Sequence, residues 1–268
     1  MGHEEQSGHA GIIVLGAEGS ELAIQDVSVV SNHPRPSPPP GASALFQSLS
    51  PKLSSERLKP YLMAANGNQK KAIQLYQWNV ALSGSVYEAL HVFEVVLRNA
   101  IDKQLCEWNS TQLSSVTGSA HHKDWLLDPS KLLLRLAGET DLAKAAERAK
   151  KAVRGRRSPL HADVLAQVTF GTWRFLLPDK DAGRQLIWNE ALVKAFPYMK
   201  RKEAEMVASV SRIYGLRNRV AHLESLLDIV RVREQYEDMQ MVLGEIDPGV
   251  QQWFVSTQRI TPAIKLRP

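Results

Sequence analysis

The chain has 268 residues, 44% of them hydrophobic, enough to bury a sizeable core in one domain with an appendage. A single cysteine, Cys106, excludes an internal disulfide and a Cys-based zinc cluster, and its neighbours Leu105 and Trp108 mark it as a core thiol in a reducing compartment. The net charge is +5, but residues 1–50 set Arg35 against Glu4, Glu5, Glu18, Glu21 and Asp26, so the body is more basic than the whole and favours polyanionic partners.

No apolar run approaches the ~20 residues that span a bilayer, Ile12 to Leu15 being a short example. Glu4 and Glu5 stand where a signal peptide needs positive charge, so the expectation is a soluble, cytoplasmic protein without a membrane partner.

In chain order, residues 1–50 are rich in Gly, Ser and Pro and read as a mostly disordered arm and linker. Gly11–Gly16 and Ile24–Val30 could pair only as a marginal ribbon. The prolines around Pro34–Pro40 remove amide donors and hold an extended backbone. Ordered structure, residues 51–268, is expected from Ser54-Ser55-Glu56-Arg57, where serines precede an acidic first turn. Asn66-Gly67-Asn68 ends that helix, and Lys70 to Leu82 forms the next.

From Ser85 a stripe of Val86, Leu90, Phe93, Leu97, Ile101 and Leu105 recurs at helical spacing, with Val92, Val95 and Val96 beside it. This helix should be central, and it carries Glu94, Arg98 and Asn99, which need partners if covered. A polar loop fills 109–130; its His121-His122-Lys123-Asp124 run reads as solvated, with no metal expected.

Helices are expected over Lys131–Val153, His161–Leu177, Ala182–Phe196 and Lys200–Leu243. Gly171 should mark a close helix approach, Gly215 a bend, and Trp253-Phe254-Val255 a tail packed back on the bundle. Strand signals are nearly absent, so the fold class is all-α. The first of these helices turns basic, and Lys144, Arg148, Lys150, Lys151, Arg154, Arg156 and Arg157 are either a solvated helix end or an RNA-binding stripe.

The densest chemistry lies in Arg217, Asn218 and His222. Imidazole, with an unperturbed pKa near ~6.5, can take a proton from a ribose 2′-hydroxyl or give one to the leaving 5′-oxygen. A guanidinium grips a phosphate and stabilises charge growing on its oxygens. Asn218 would orient either partner. On an ideal helix Arg217 lies roughly 140° around the axis from His222, so a bend or a second copy is needed for convergence.

Arg217-Asn218-Arg219-Val220-Ala221-His222 resembles the Arg-x4-6-His signature of HEPN domains, and its context is similar to the Abi-like, abortive-infection branch of that superfamily. The supporting blocks are Arg57–Leu62, Tyr76–Asn79, Leu90–Asn99 and Phe170-Gly171-Thr172-Trp173. Leu223 and Ser225 replace a histidine and a proline that members often carry, while Glu224 remains.

The resemblance implies a HEPN-like helical bundle with extra helices. It implies a dimeric, metal-independent endoribonuclease without cofactors, acting in phage defence or a toxin–antitoxin pair and restrained by an RNA or protein antitoxin. It places Arg217 and His222 in catalysis with Asn218 beside them, and Glu94, Arg98, Asn99 and Glu224 in support. An internal Glu94–Arg98 pair is the plain alternative for the second helix. The competing functions are a HEPN-fold RNA-binding module without turnover, or a helical interaction protein that uses its Pro-rich arm.

Overall fold

The computed structural model describes residues 41–154 and 157–268. The arm and ribbon expected before residue 41 lie outside the described residues, as does Arg156. The described chain is all-α, and its only strand-like feature is the isolated antiparallel bridge Leu113–Ala120. Order begins earlier than expected, because helix α1 runs Ala42–Leu53 within the segment assigned to the arm.

Ser54 then starts α2 (Ser55–Ala64) as anticipated, its hydroxyl accepting from the Arg57 amide at 3.3 Å. Asn66 and Gly67 turn the chain with positive φ, and the Asn68 side chain caps α3 by accepting from Lys71 N–H at 3.0 Å.

Helix α3 is one element, Gln69–Asn109, not two. Gly84 costs ~1 kcal/mol of helix propensity relative to Ala, too little to interrupt a helix gripped along its length. Its stripe Leu82, Val86, Leu90, Phe93, Leu97, Ile101 and Leu105 is buried under α1, α2 and helices from the C-terminal half of the chain. By length and composition alone α3 could cross a membrane, which the short apolar runs did not suggest; here that stripe is covered by protein.

At the end of α3 the fully buried Asn109 organises the polar loop. Its amide donates to the carbonyls of His122 (2.7 Å) and Asp128 (2.9 Å), and its oxygen accepts from Ser130 N–H at 2.9 Å. The loop histidines pair locally, His121 with Asp128 and His122 with Asp124.

Three expected helices are each broken once. Gly138, at φ +86, separates α4 (Lys131–Ala137) from α5 (Glu139–Ala152), because only glycine takes that conformation cheaply. Residues 166–169 separate α6 (His161–Leu165) from α7 (Phe170–Leu176). Ala191 separates α8 (Ala182–Glu190) from a 3-10 turn, Leu192–Ala195.

The long C-terminal element is also two helices, α9 (Glu203–Ala221) and α10 (Ile229–Ile246). The helix runs uninterrupted through Gly215, where a Cβ would meet open space, so the element does not break there. The break falls at His222 and Leu223, the latter at φ +58.

Ion pairs to two buried carboxylates hold α9 in register. Asp238 of α10 takes Arg212 through two bonds of 2.7 and 2.6 Å, and Glu245 takes Arg201, just ahead of α9, through bonds of 2.6 and 3.1 Å. Gly171 does mark a close approach, since a Cβ there would lie 3.4 Å from Tyr214 Oη of α9.

The chain closes with α11 (Pro248–Thr257) and α12 (Ile260–Lys265). Of the predicted tail only Phe254 is buried, 5.9 Å from the Tyr236 ring, while Trp253 and Val255 are exposed. Helix α12 is tied to α3 by Trp78 Nε1–H donating to the Ala263 carbonyl at 2.8 Å.

Candidate active site

Arg217 leaves α9 towards α3, where the carboxylate of Glu94 meets its Nε at 3.5 Å. Both side chains are half-buried, and they share a cavity of about 290 Å³ with Tyr87, His91 and Arg98 of α3. Phe170 and Trp173 of α7 form its apolar wall, and Phe170 also packs edge-on against Tyr214 at 5.6 Å.

Burial pushes the Glu94 carboxyl above the usual carboxylate range, which the neighbouring Arg217, His91 and Arg98 side chains only partly reverse. The cavity therefore holds an acid that can move a proton beside guanidinium groups that can hold an anion. The anticipated Glu94–Arg98 pair is replaced by Glu94–Arg217 across two helices, and Arg98 Nε–H donates to Asn99 Oδ1 at 3.3 Å. Asn99 is exposed and does not line the cavity.

The rest of the motif points elsewhere. His222 is the C-cap of α9, exposed, its amide donating to the Asn218 carbonyl at 2.9 Å, and it does not line the Arg217 cavity. Asn218 is half-buried on the same helix, and Glu224 is exposed and pairs with Arg219 at 3.7 Å. Within one chain the motif is thus divided, with the cation in a cavity and the imidazole on the surface beyond it.

A larger cavity of about 660 Å³ adjoins this one, sharing Tyr87 and Ala221. It is lined by Arg57, Tyr61, Tyr76 and Asn79 among others, and its rim carries the exposed apolar side chains Val80, Tyr87 and Leu223. Asn79 Oδ1 accepts from Leu226 N–H at 2.6 Å and Arg57 Nη1–H donates to the Leu223 carbonyl at 2.5 Å, which pins the turn after His222 to α2 and α3.

The basic stripe is thinner than its sequence suggests. Arg148 donates to the Gln167 carbonyl at 2.8 Å, Arg157 to Asp163 at 3.0 Å, and Lys144 approaches Asp141 at 3.9 Å. Lys150, Lys151 and Arg154 are exposed, with no ion-pair partner among the described residues.

A second polar cluster was not anticipated. About 12 Å further along α3 from Glu94, Asp102 and Cys106 face His161, the first residue of α6. His161 Nε2 lies 2.9 and 3.1 Å from the two Asp102 oxygens and 3.7 Å from Cys106 Sγ. Asp102 Oδ1 also accepts from Trp125 Nε1–H at 2.8 Å.

Burial pulls the His161 imidazole down, but its hydrogen bonds to Asp102 and Cys106 outweigh that, and it is pushed up to about 10. Its Nδ1 is buried with no hydrogen-bond partner among the described residues. The geometry differs from a nucleophilic triad, in which acid and nucleophile occupy opposite ring nitrogens; here both face Nε2. The four-residue step from Asp102 to Cys106 was visible in the sequence, whereas the approach of His161 was not.

No family model, curated protein or solved structure matches the chain.

Proposed function

We propose that this protein is a HEPN-type, metal-independent endoribonuclease of the Abi-like kind, active as a homodimer in phage defence or a toxin–antitoxin pair under an RNA or protein antitoxin. The reading is carried by Arg217, a guanidinium half-sunk in a polar cavity, followed one and a half turns later by an exposed imidazole at the end of the same helix.

In the reaction the ribose 2′-oxygen attacks phosphorus as a base removes its proton. The bond to the 5′-oxygen breaks as that oxygen is protonated, leaving a 2′,3′-cyclic phosphate and a 5′-hydroxyl. His222 handles the proton, Arg217 stabilises the phosphate oxygens, and Asn218 orients the scissile group. Arg98 deepens the positive lining and Glu94 holds Arg217 in place.

Arg217 and His222 diverge within one chain, so the complete site needs two. The apolar rim formed by Val80, Tyr87 and Leu223, beside His222, is the surface on which a second copy docks. Lys150, Lys151 and Arg154 supply the nonspecific attraction that holds RNA.

The test is incubation of full-length protein with tRNA and mixed RNA without added divalent metal, wild type against His222→Ala. Faster cleavage by wild type, with cyclic-phosphate ends, is expected; equal rates sink the proposal. Salt-sensitive binding without products would favour the noncatalytic RNA-binding reading.

A further inference from the structure

From the mutual placement of Asp102, Cys106 and His161 we infer a binding site for one divalent transition-metal ion of the zinc class, separate from the proposed ribonuclease chemistry. The three residues present a carboxylate, a thiol and an imidazole, and their donor atoms lie within 4.8 Å of one another.

A zinc ion with bonds of about 2.0–2.3 Å in a tetrahedron sets its ligand atoms roughly 3.2–3.6 Å apart. Here Nε2 and Oδ2 are 3.1 Å apart, Sγ and Nε2 3.7 Å, and Sγ and Oδ2 4.0 Å. An ion can therefore settle among them with side-chain adjustments of a few tenths of an ångström.

Charge balance favours the same reading. A dication held by the Cys106 thiolate, the Asp102 carboxylate and the neutral His161 imidazole has its charge matched by its two anionic ligands. All three residues are largely buried, where any net charge would be costly.

The donor set points to zinc rather than to magnesium or calcium, because thiolate and imidazole suit borderline metals and hard cations take oxygen. Three protein ligands leave a fourth position for water. Trp125 supports the site from behind, its indole N–H fixing Asp102 through Oδ1 and leaving Oδ2 turned towards sulfur.

The chain has a single cysteine, which gives an unambiguous readout. Full-length protein expressed with zinc sulfate and purified without chelator should carry about one zinc per chain by mass spectrometry. The stripped protein titrated with cobalt(II) chloride should develop a thiolate-to-cobalt charge-transfer band, saturating at one equivalent, with the intense visible bands of four-coordinate cobalt.

Cys106→Ser should abolish the charge-transfer band, and Trp125→Phe should weaken cobalt binding by about tenfold while leaving the band in place. Lack of both stoichiometric zinc and the charge-transfer band in wild-type protein overturns the inference. So does an unchanged cobalt spectrum in a folded Cys106→Ser variant. Neither result bears on His222, so failure here and failure of the ribonuclease reading are distinguishable.

Discussion

Two polar clusters sit about 12 Å apart along α3, and they obey opposite rules. Around Glu94 and Arg217 the side chains are half-exposed, share a cavity and remain incompletely paired. Around Asp102, Cys106 and His161 the groups are buried, and each touches the others. The first arrangement can exchange partners with a ligand that arrives and leaves. The second can change only by swapping what it encloses, a proton or an ion, because nothing larger fits between atoms already in contact.

The largest expected effect is on turnover, at Arg217 of the first cluster and at His222 beyond it. Replacing His222 by Ala should lower RNA cleavage by about 10²–10⁴-fold, the usual contribution of a positioned acid or base, with RNA affinity little changed. Arg217→Ala should cost about 10²–10³-fold for loss of one charge-stabilising donor. Single-turnover kinetics with a defined RNA separates these losses from binding, and wild-type rates in either variant would remove the chemical distinction between the clusters.

A surface change should be nearly as informative. Tyr87→Asp puts charge on the exposed rim beside the first cluster, so light scattering should report monomers and cleavage should fall with dimer content. An active monomer would mean that Arg217 and His222 converge without a second chain.

The buried cluster should dominate stability instead. Asp102→Ala in metal-free protein leaves the His161 imidazolium without its carboxylate, a change that typically costs about 3–5 kcal/mol for a buried pair. Chemical denaturation measures it, and a loss no larger than that of an exposed ion pair would place the cluster with the first kind.

Glu94 should show the smallest effect, with a definite sign. Its carboxyl is raised in the folded chain, so folding favours its protonated form, and stability is lost as pH rises from the usual carboxylate range through the raised value. Glu94→Gln removes that dependence. Melting curves should therefore show the variant gaining on wild type as pH rises through this window, with the gain absent below it.

The periodicity of Val86, Leu90, Phe93, Leu97, Ile101 and Leu105 revealed the central helix because a buried stripe must repeat at 3.6 residues whatever covers it. Helix breaks were harder to read. Gly84 and Gly215 continue a helix while Gly138 ends one, since a glycine permits a left-handed turn without demanding it. Side-chain partners in the basic stripe were hidden for a related reason: Arg148 and Arg157 are engaged by Gln167 and Asp163, on segments that composition cannot place beside them.

By itself the sequence determined the helical class, the central place of α3, and the presence of Arg217, His222 and Glu94 as polar groups that apolar packing does not account for. Those are local properties, written in the spacing of residues along one helix. Tertiary structure decided that Glu94 pairs with Arg217 and not Arg98, that His222 caps α9 on an open surface, and that His161 closes on Asp102 and Cys106 across 59 and 55 residues of chain. Contacts between separate helices depend on where each helix stops and which face it turns, and a linear pattern of polar and apolar residues does not fix either.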